Sequence, residues 1–181
     1  MIRRGRVIVA DAPRFQAAPT QGLLRLELWA NAAAVSRRFA AVFGVALPAP
    51  SRAASAGLTR VMWREPGAWM IRTPLGGRGE ALAHLAEAAG KDGAATDISG
   101  AAVRVALRGR DWRILLTHGG VFDAEAPVFG PGCVAGTVVE HIAVRLDVIT
   151  EDQVDAYVAP SFADDLLAYW TTVARDLDIG G

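Results

Sequence analysis

Asp97 and Ser99 stand two residues apart in the run Thr96-Asp-Ile-Ser-Gly100. A carboxylate beside a hydroxyl has the chemistry to polarise a substrate amine. Asp and Ser side chains also hydrogen-bond nearby backbone N–H groups, and that local role accounts for the pair without a ligand. Gly76-Gly-Arg-Gly79 opens a helical segment, where free backbone N–H groups and the helix dipole favour an anion. It matches neither the Gly-x-Gly-x-x-Gly nor the Gly-Lys-Ser/Thr pattern and reads as an ordinary loop-to-helix turn. Cys133 follows Gly130-Pro-Gly132 with no basic neighbour in sequence, so nothing there depresses a thiol pKa for nucleophilic work. His84, His118 and His141 lack ligand spacing. The expectation is therefore a chain with no catalytic, cofactor-binding or metal-binding residues of its own. What remains is recognition: Trp63, Arg64 and Trp69 crowd one predicted hairpin and Trp29 falls on the polar face of a predicted strand, and aromatic residues with Arg dominate binding hot spots. These four are the candidate partner-interface residues, with a core role equally open for Trp63 and Trp69, whose strand positions fit opposite sheet faces.

Composition narrows the function classes. The chain has 181 residues, 19 basic and 19 acidic, for a formal net charge of zero. Nucleic-acid affinity rests largely on neutralising phosphates, so no bulk electrostatic case exists for it. All but one of the basic residues are Arg, the exception being Lys91, which fits coding bias in a GC-rich bacterium. A single cysteine excludes an internal disulfide and suits a reducing cytoplasm. The apolar run Val7–Ala10 is broken by Asp11 and Pro13, short of the roughly 7–15 residues of a signal core. No stretch approaches the ~18 apolar residues of a membrane helix. A cytoplasmic protein with no membrane partner is expected.

Periodicity places these residues on elements. Residues 1–20 read as an extended arm with a short strand at Val7–Val9. Leu24, Leu26 and Leu28 alternate with Arg25, Glu27 and Trp29 as in a half-buried strand. Asn31 caps a predicted helix over Ala32–Phe43 with Val35, Phe39, Val42 and Phe43 inward and Gly44 as its stop. Pro48–Ala56 reads as a linker. A hairpin spans Leu58–Arg72 about Glu65-Pro-Gly-Ala68, where Pro and Gly suit the two central turn positions. A helix over Glu80–Ala89, with Leu82, Leu85, Ala86 and Ala89 inward, and a strand at Ala95–Ile98 close a first half, residues 21–99. The second half, 100–181, reads as a strand Ala101–Arg108, a helix Arg110–His118, strands Val134–Val139, Ile142–Ile149 and Gln153–Ala159, and a helix capped by Ser161 with Asp164 as a capping box. Its apolar stripe is Phe162, Leu166, Leu167, Trp170 and Val173. Asp147 falls on the polar side of its strand, opposite Val144, Leu146 and Val148. This order argues α+β, with two ferredoxin-like halves packed into one unit.

Several segments carry a family likeness. Thr96–Leu116, Gly22-Leu-Leu-Arg-Leu26, Phe43-Gly-Val-Ala-Leu-Pro48, Trp63-Arg-Glu-Pro-Gly-Ala-Trp69, Phe129-Gly-Pro-Gly-Cys133 and the Ser161–Trp170 helix together resemble the gamma subunit of heterotetrameric sarcosine oxidase. The likeness extends from Gly22 to Asp176, with Pro160 where members often have Arg. It implies a fold related to the folate-binding domain of the glycine-cleavage T-protein. It also implies a non-catalytic accessory subunit with no cofactor of its own, which joins the large alpha-type subunit and the others. Flavins, NAD and tetrahydrofolate are expected in those partners, and self-association is expected when the subunit is isolated. The implied enzyme oxidatively demethylates sarcosine to glycine, with hydrogen peroxide and methylenetetrahydrofolate as further products. Where the catalytic T-protein has a glycine-rich tract ending in paired aspartates, this chain has the tight turn Val138-Val-Glu-His141, which argues against folate chemistry of that kind. The alternative is a stand-alone folate-binding or one-carbon-transfer protein of the T-protein type.

Overall fold

A computed structural model describes residues 14–17, 21–109 and 111–177; the predicted strand at Val7–Val9 lies outside them. The first half runs β2 (Gly22–Leu28), α1 (Ala32–Phe43), β3 (Ala53–Ala56), β4 (Thr59–Glu65), β5 (Ala68–Thr73), α2 (Arg78–Ala89) and β6 (Gly93–Asp97). The second runs β7 (Val103–Arg108), α3 (Trp112–Thr117), β8 (Val134–Val139), β9 (Ile142–Thr150), β10 (Gln153–Val158) and α4 (Ala163–Asp176). With β1 (Arg14–Ala17) from the N-terminal arm, the halves build two five-stranded antiparallel sheets, in the orders β3-β4-β5-β2-β6 and β8-β9-β10-β7-β1. Four strands of the first sheet, with α1 and α2, form the βαββαβ arrangement of a ferredoxin-like fold. The second repeats that order, but its last position is filled by β1, antiparallel to β7.

Alternation along the strands explains the layering. Leu24, Leu26, Val61, Trp69 and Ile71 face α1 and α2 and pack on Phe39 and Leu85. Val105, Leu107, Leu146, Val148, Val154 and Ala156 face α3 and α4 and pack on Trp112, Leu115 and Trp170. A residue's strand neighbours point to the other face, so the opposite faces of both sheets meet, and Leu23, Met62, Met70, Val134 and Tyr157 pack there. The result is helices, sheet, sheet, helices. The halves are also stitched along an edge, where Ala53 N donates to Gly132 O and Val134 N to Ser51 O, at 2.8 and 3.0 Å.

Several local expectations are corrected. The Pro48–Ala56 linker contains β3, whose small residues carry no alternating signature. Asn31 precedes α1 in the left-handed region but makes no side-chain cap; its Nδ2 donates to Asp92 Oδ1 instead. Val42 is exposed while Val35 and Phe39 are buried. In α2 the buried set is Ala81, Leu85, Ala88 and Ala89, with Leu82 partly buried against the same core and Ala86 exposed. A single 3-10 turn, Pro160–Phe162, precedes α4, so Ser161 is not its cap and Phe162 is turned outward.

Candidate functional site between the two sheets

The layer between the sheets is where most of the buried charge lies. Arg60 and Arg72 are directly opposite each other on β4 and β5, and Asp147 and Asp155 are directly opposite each other on β9 and β10. The sheets stack so that these two pairs meet. Arg60 donates Nε to Asp147 Oδ2 at 2.9 Å and Nη2 to Oδ1 at 2.5 Å, and reaches Ser55 Oγ and Val148 O as well. Arg72 Nη1 donates to Asp155 Oδ2 at 2.5 Å and to Tyr157 OH at 3.0 Å. Arg104, from β7, donates to the same Asp155 oxygen at 3.0 Å. Both aspartates are fully buried. Burial pushes the Asp147 carboxyl above the ordinary carboxylate range against the opposing pull of Arg60. Burial likewise raises the Tyr157 phenol well above its ordinary value. Asp147 sits in a bidentate guanidinium fork, and Asp155 takes two arginines on Oδ2 with Gln153 Nε2 3.4 Å from Oδ1, so both acids join the halves.

Asp147, which alternation places on the polar side of its strand, is thus buried between the sheets. Its strand has no solvated face, because one side meets the α3–α4 layer and the other the first sheet. The whole cluster of Arg60, Arg72, Arg104, Asp147 and Asp155 was missed by sequence reasoning. The signal was Asp155 itself, a carboxylate inside the otherwise apolar run Val154–Val158, as in strands covered on both faces.

The Arg end of this layer opens outward. A cleft of about 380 Å³ lies beside Arg64, Arg145 and Tyr157. Arg145 Nη1 donates to Arg64 O at 3.2 Å. Burial, and then the neighbouring Arg64 charge, hold the Arg145 pKa below the usual guanidinium range.

The four candidate interface residues separate. Trp29 lies in the bend just past β2 rather than on it and is 66 % exposed. Its Nε1 donates to Lys91 O at 3.0 Å, and with Arg25, Glu65 and Pro66 it borders a shallow depression of about 480 Å³. Trp63 and Trp69 are direct cross-strand partners, so they share a face instead of taking opposite ones. A bulge after Trp63 shifts the register there. Trp69 is buried, with Nε1 donating to Pro48 O at 2.9 Å, and Trp63 is half-buried. Arg64 belongs to the cleft, so the structure does not gather the four into one patch.

The remaining motifs take local roles. Ser99 donates its N–H and Oγ to Asp97 Oδ1 at 2.9 and 2.6 Å, and Leu23 N donates to Ser99 Oγ at 3.1 Å. These bonds from Ser99, with Arg78 nearby, lower the Asp97 pKa, and the pair ties the end of β6 to β2. Cys133 is buried, and the fold supplies the basic neighbour absent from its sequence context: Arg52 Nη1 lies 2.7 Å from Sγ. The His141 ring stacks edge-on to Phe162. Among the described residues no three His, Cys, Asp or Glu side chains gather to hold a metal ion. No helix among them is long and apolar enough to cross a membrane.

With that geometry in hand, comparison with known proteins places the fold. The structure is similar to a chain of the heterotetrameric sarcosine oxidase from Corynebacterium sp. U-96 in complex with pyrrole 2-carboxylate: TM-score 0.80 and 20 % identity, covering 91 % of this chain and 84 % of that one. It is also similar to glycine cleavage system aminomethyltransferase T from Bartonella henselae, with TM-score 0.60 and 14 % identity over 90 % of this chain and 46 % of that one. The chain thus spans less than half the length of that aminomethyltransferase. No curated protein sequence matches it. The family model described as sarcosine oxidase, gamma subunit family matches residues 27–176, and this protein belongs to that family.

Proposed function

We propose that this chain is a non-catalytic accessory subunit of a heterotetrameric sarcosine oxidase, packing on the large alpha-type subunit and stabilising it. Family membership over residues 27–176 carries the reading. The flavin, NAD and tetrahydrofolate sites of the assembly then belong to partner subunits, which perform the oxidative demethylation of sarcosine to glycine with formation of peroxide and methylenetetrahydrofolate. Two observations favour surface over chemistry. The carboxylate pair at the centre of the fold, Asp147 and Asp155, is held by three arginines, and the turn between β8 and β9 at Glu140-His141 is too tight to carry a ligand-binding tract. Trp29 is the exposed aromatic best placed to meet a partner. A cytoplasmic location is part of the same proposal.

The test is co-expression with the alpha-type and remaining subunits, with and without this chain, followed by isolation of the assembly and measurement of sarcosine-dependent peroxide production. Loss of assembled enzyme or of its thermal stability without this chain supports the reading. Full assembly and turnover in its absence overturns it. The fold shared with aminomethyltransferase T keeps one second reading in view, a stand-alone folate-binding or one-carbon-transfer protein. Saturable binding of a reduced folate by the isolated chain would favour that instead.

A further inference from the structure

The layer between the sheets carries more positive than negative charge, and the surplus collects at one end. Arg60, Arg72 and Arg104 are matched by Asp147 and Asp155. Further along the strands come Arg64 on β4, beyond Met62, and Arg145 on β9, next to Asp147 on the same face, where no aspartate stands opposite. Arg145 has no acidic side chain within 4.0 Å among the described residues. Arg64 comes no nearer than 3.6 Å to Glu65, whose Oε1 is already bonded by Arg25 at 2.8 Å. Arg145 Nη1 donates to the Arg64 backbone carbonyl, and Arg145 feels the Arg64 charge more strongly than the opposing charge of Glu65.

Glu65, shared with Arg25, only partly offsets the two guanidinium charges, and the remaining positive excess in a partly desolvated place favours an anion. The fold leaves space beside them. Tyr157 and Gly136 flank Arg145 on the neighbouring strands β10 and β8. Because Gly136 has no side chain, nothing from β8 fills the cleft beside the Arg145 guanidinium; a Cβ there would lie 3.9 Å from Nη2. The resulting cleft, about 380 Å³, falls within the range of small-molecule sites of roughly 300–1,000 Å³. Away from the two arginines its wall is mostly apolar, with Met70, Ala102, Val138 and Val158, and carries the hydroxyls of Thr137 and Tyr157.

We propose that this cleft binds a small monocarboxylic acid with an apolar or aromatic body, its carboxylate held between Arg64 and Arg145. Guanidinium forks match carboxylate geometry, and the apolar wall takes the remainder of the ligand. The site is independent of the accessory-subunit reading and is formed by this chain alone.

The test is titration of the full chain, and separately of the assembled complex, with benzoate and with its uncharged counterpart benzamide, followed by NMR or calorimetry. Saturable benzoate binding is expected, with benzamide about tenfold weaker or more, the scale of a charge-assisted hydrogen bond. Arg145→Gln loses about tenfold or more. Gly136→Val keeps both charges but fills the space, and it also loses binding; a thermal melt verifies the fold of each variant. Equal binding of benzamide, wild-type benzoate affinity in Arg145→Gln, or no saturable binding would overturn the site. Binding by the isolated chain but not by the complex would also overturn it, since the cleft would then seat an acidic side chain of a partner.

Discussion

Asp147 and Asp155 are cross-strand neighbours with no exposure to solvent, yet each is neutralised from the other sheet, by Arg60 and by Arg72. Like charges directly opposite on neighbouring strands are destabilising by themselves. Here each sheet carries such a pair, acidic on one and basic on the other, and only the stacked arrangement relieves both. The network thereby specifies how the halves register.

Removing one member should expose that dependence. Asp155→Ala strands Arg72 and Arg104, and breaking a buried pair in this way costs about 3–5 kcal/mol. Replacing Arg60 and Asp147 together by Met and Leu should cost far less than either single change, because no lone charge remains buried. Urea unfolding of the three variants checks this, and equal losses in single and double variants would contradict it.

Tyr157 gives a sign in the alkaline range. Its phenol is raised by burial in the folded chain, whereas the unfolded chain ionises near pH 10. The folded state therefore keeps a proton that the unfolded state releases, so this contribution is intact below about pH 10 and is lost as pH rises towards the folded value. Tyr157→Phe should remove up to about 1.4 kcal/mol per pH unit from the fall in stability above pH 10. Denaturant melts at stepped pH measure it.

Two tryptophans should behave oppositely. Trp69→Ala empties a buried position and should destabilise by about 3–5 kcal/mol. Trp29→Ala, at an exposed bend, should change stability by no more than about 0.5 kcal/mol while weakening capture of the alpha-type subunit. Paired thermal melts and co-purification separate the two roles.

Deleting residues 1–20 takes away β1 and leaves β7 as an edge strand. A bare edge pairs readily with another chain, so the truncated protein should self-associate in proportion to concentration. Sedimentation against the full chain tests this, and a truncated protein with unchanged sedimentation would count against it.

The sequence by itself determined the order of all the helices and most of the strands, and much of the outer cores. Period-2 alternation in Leu24–Leu28 and Ile142–Val148 marked strands with one face towards helices, and the spacing of Leu166, Trp170 and Val173 marked the helix that covers them. Glu65-Pro-Gly-Ala68 located its hairpin because turn geometry depends on local φ preferences. Other features rested on the tertiary structure alone. Whether a strand's second face meets water or another sheet cannot be read from alternation, so the pairing of Asp147 with Arg60 rested on how the sheets stack. β3 depended on an edge provided by β4, and β1 on one provided by β7 more than 80 residues away. The meeting of Arg64 with Arg145 arose the same way: local periodicity sets which face a residue takes, and long-range pairing sets what stands opposite it.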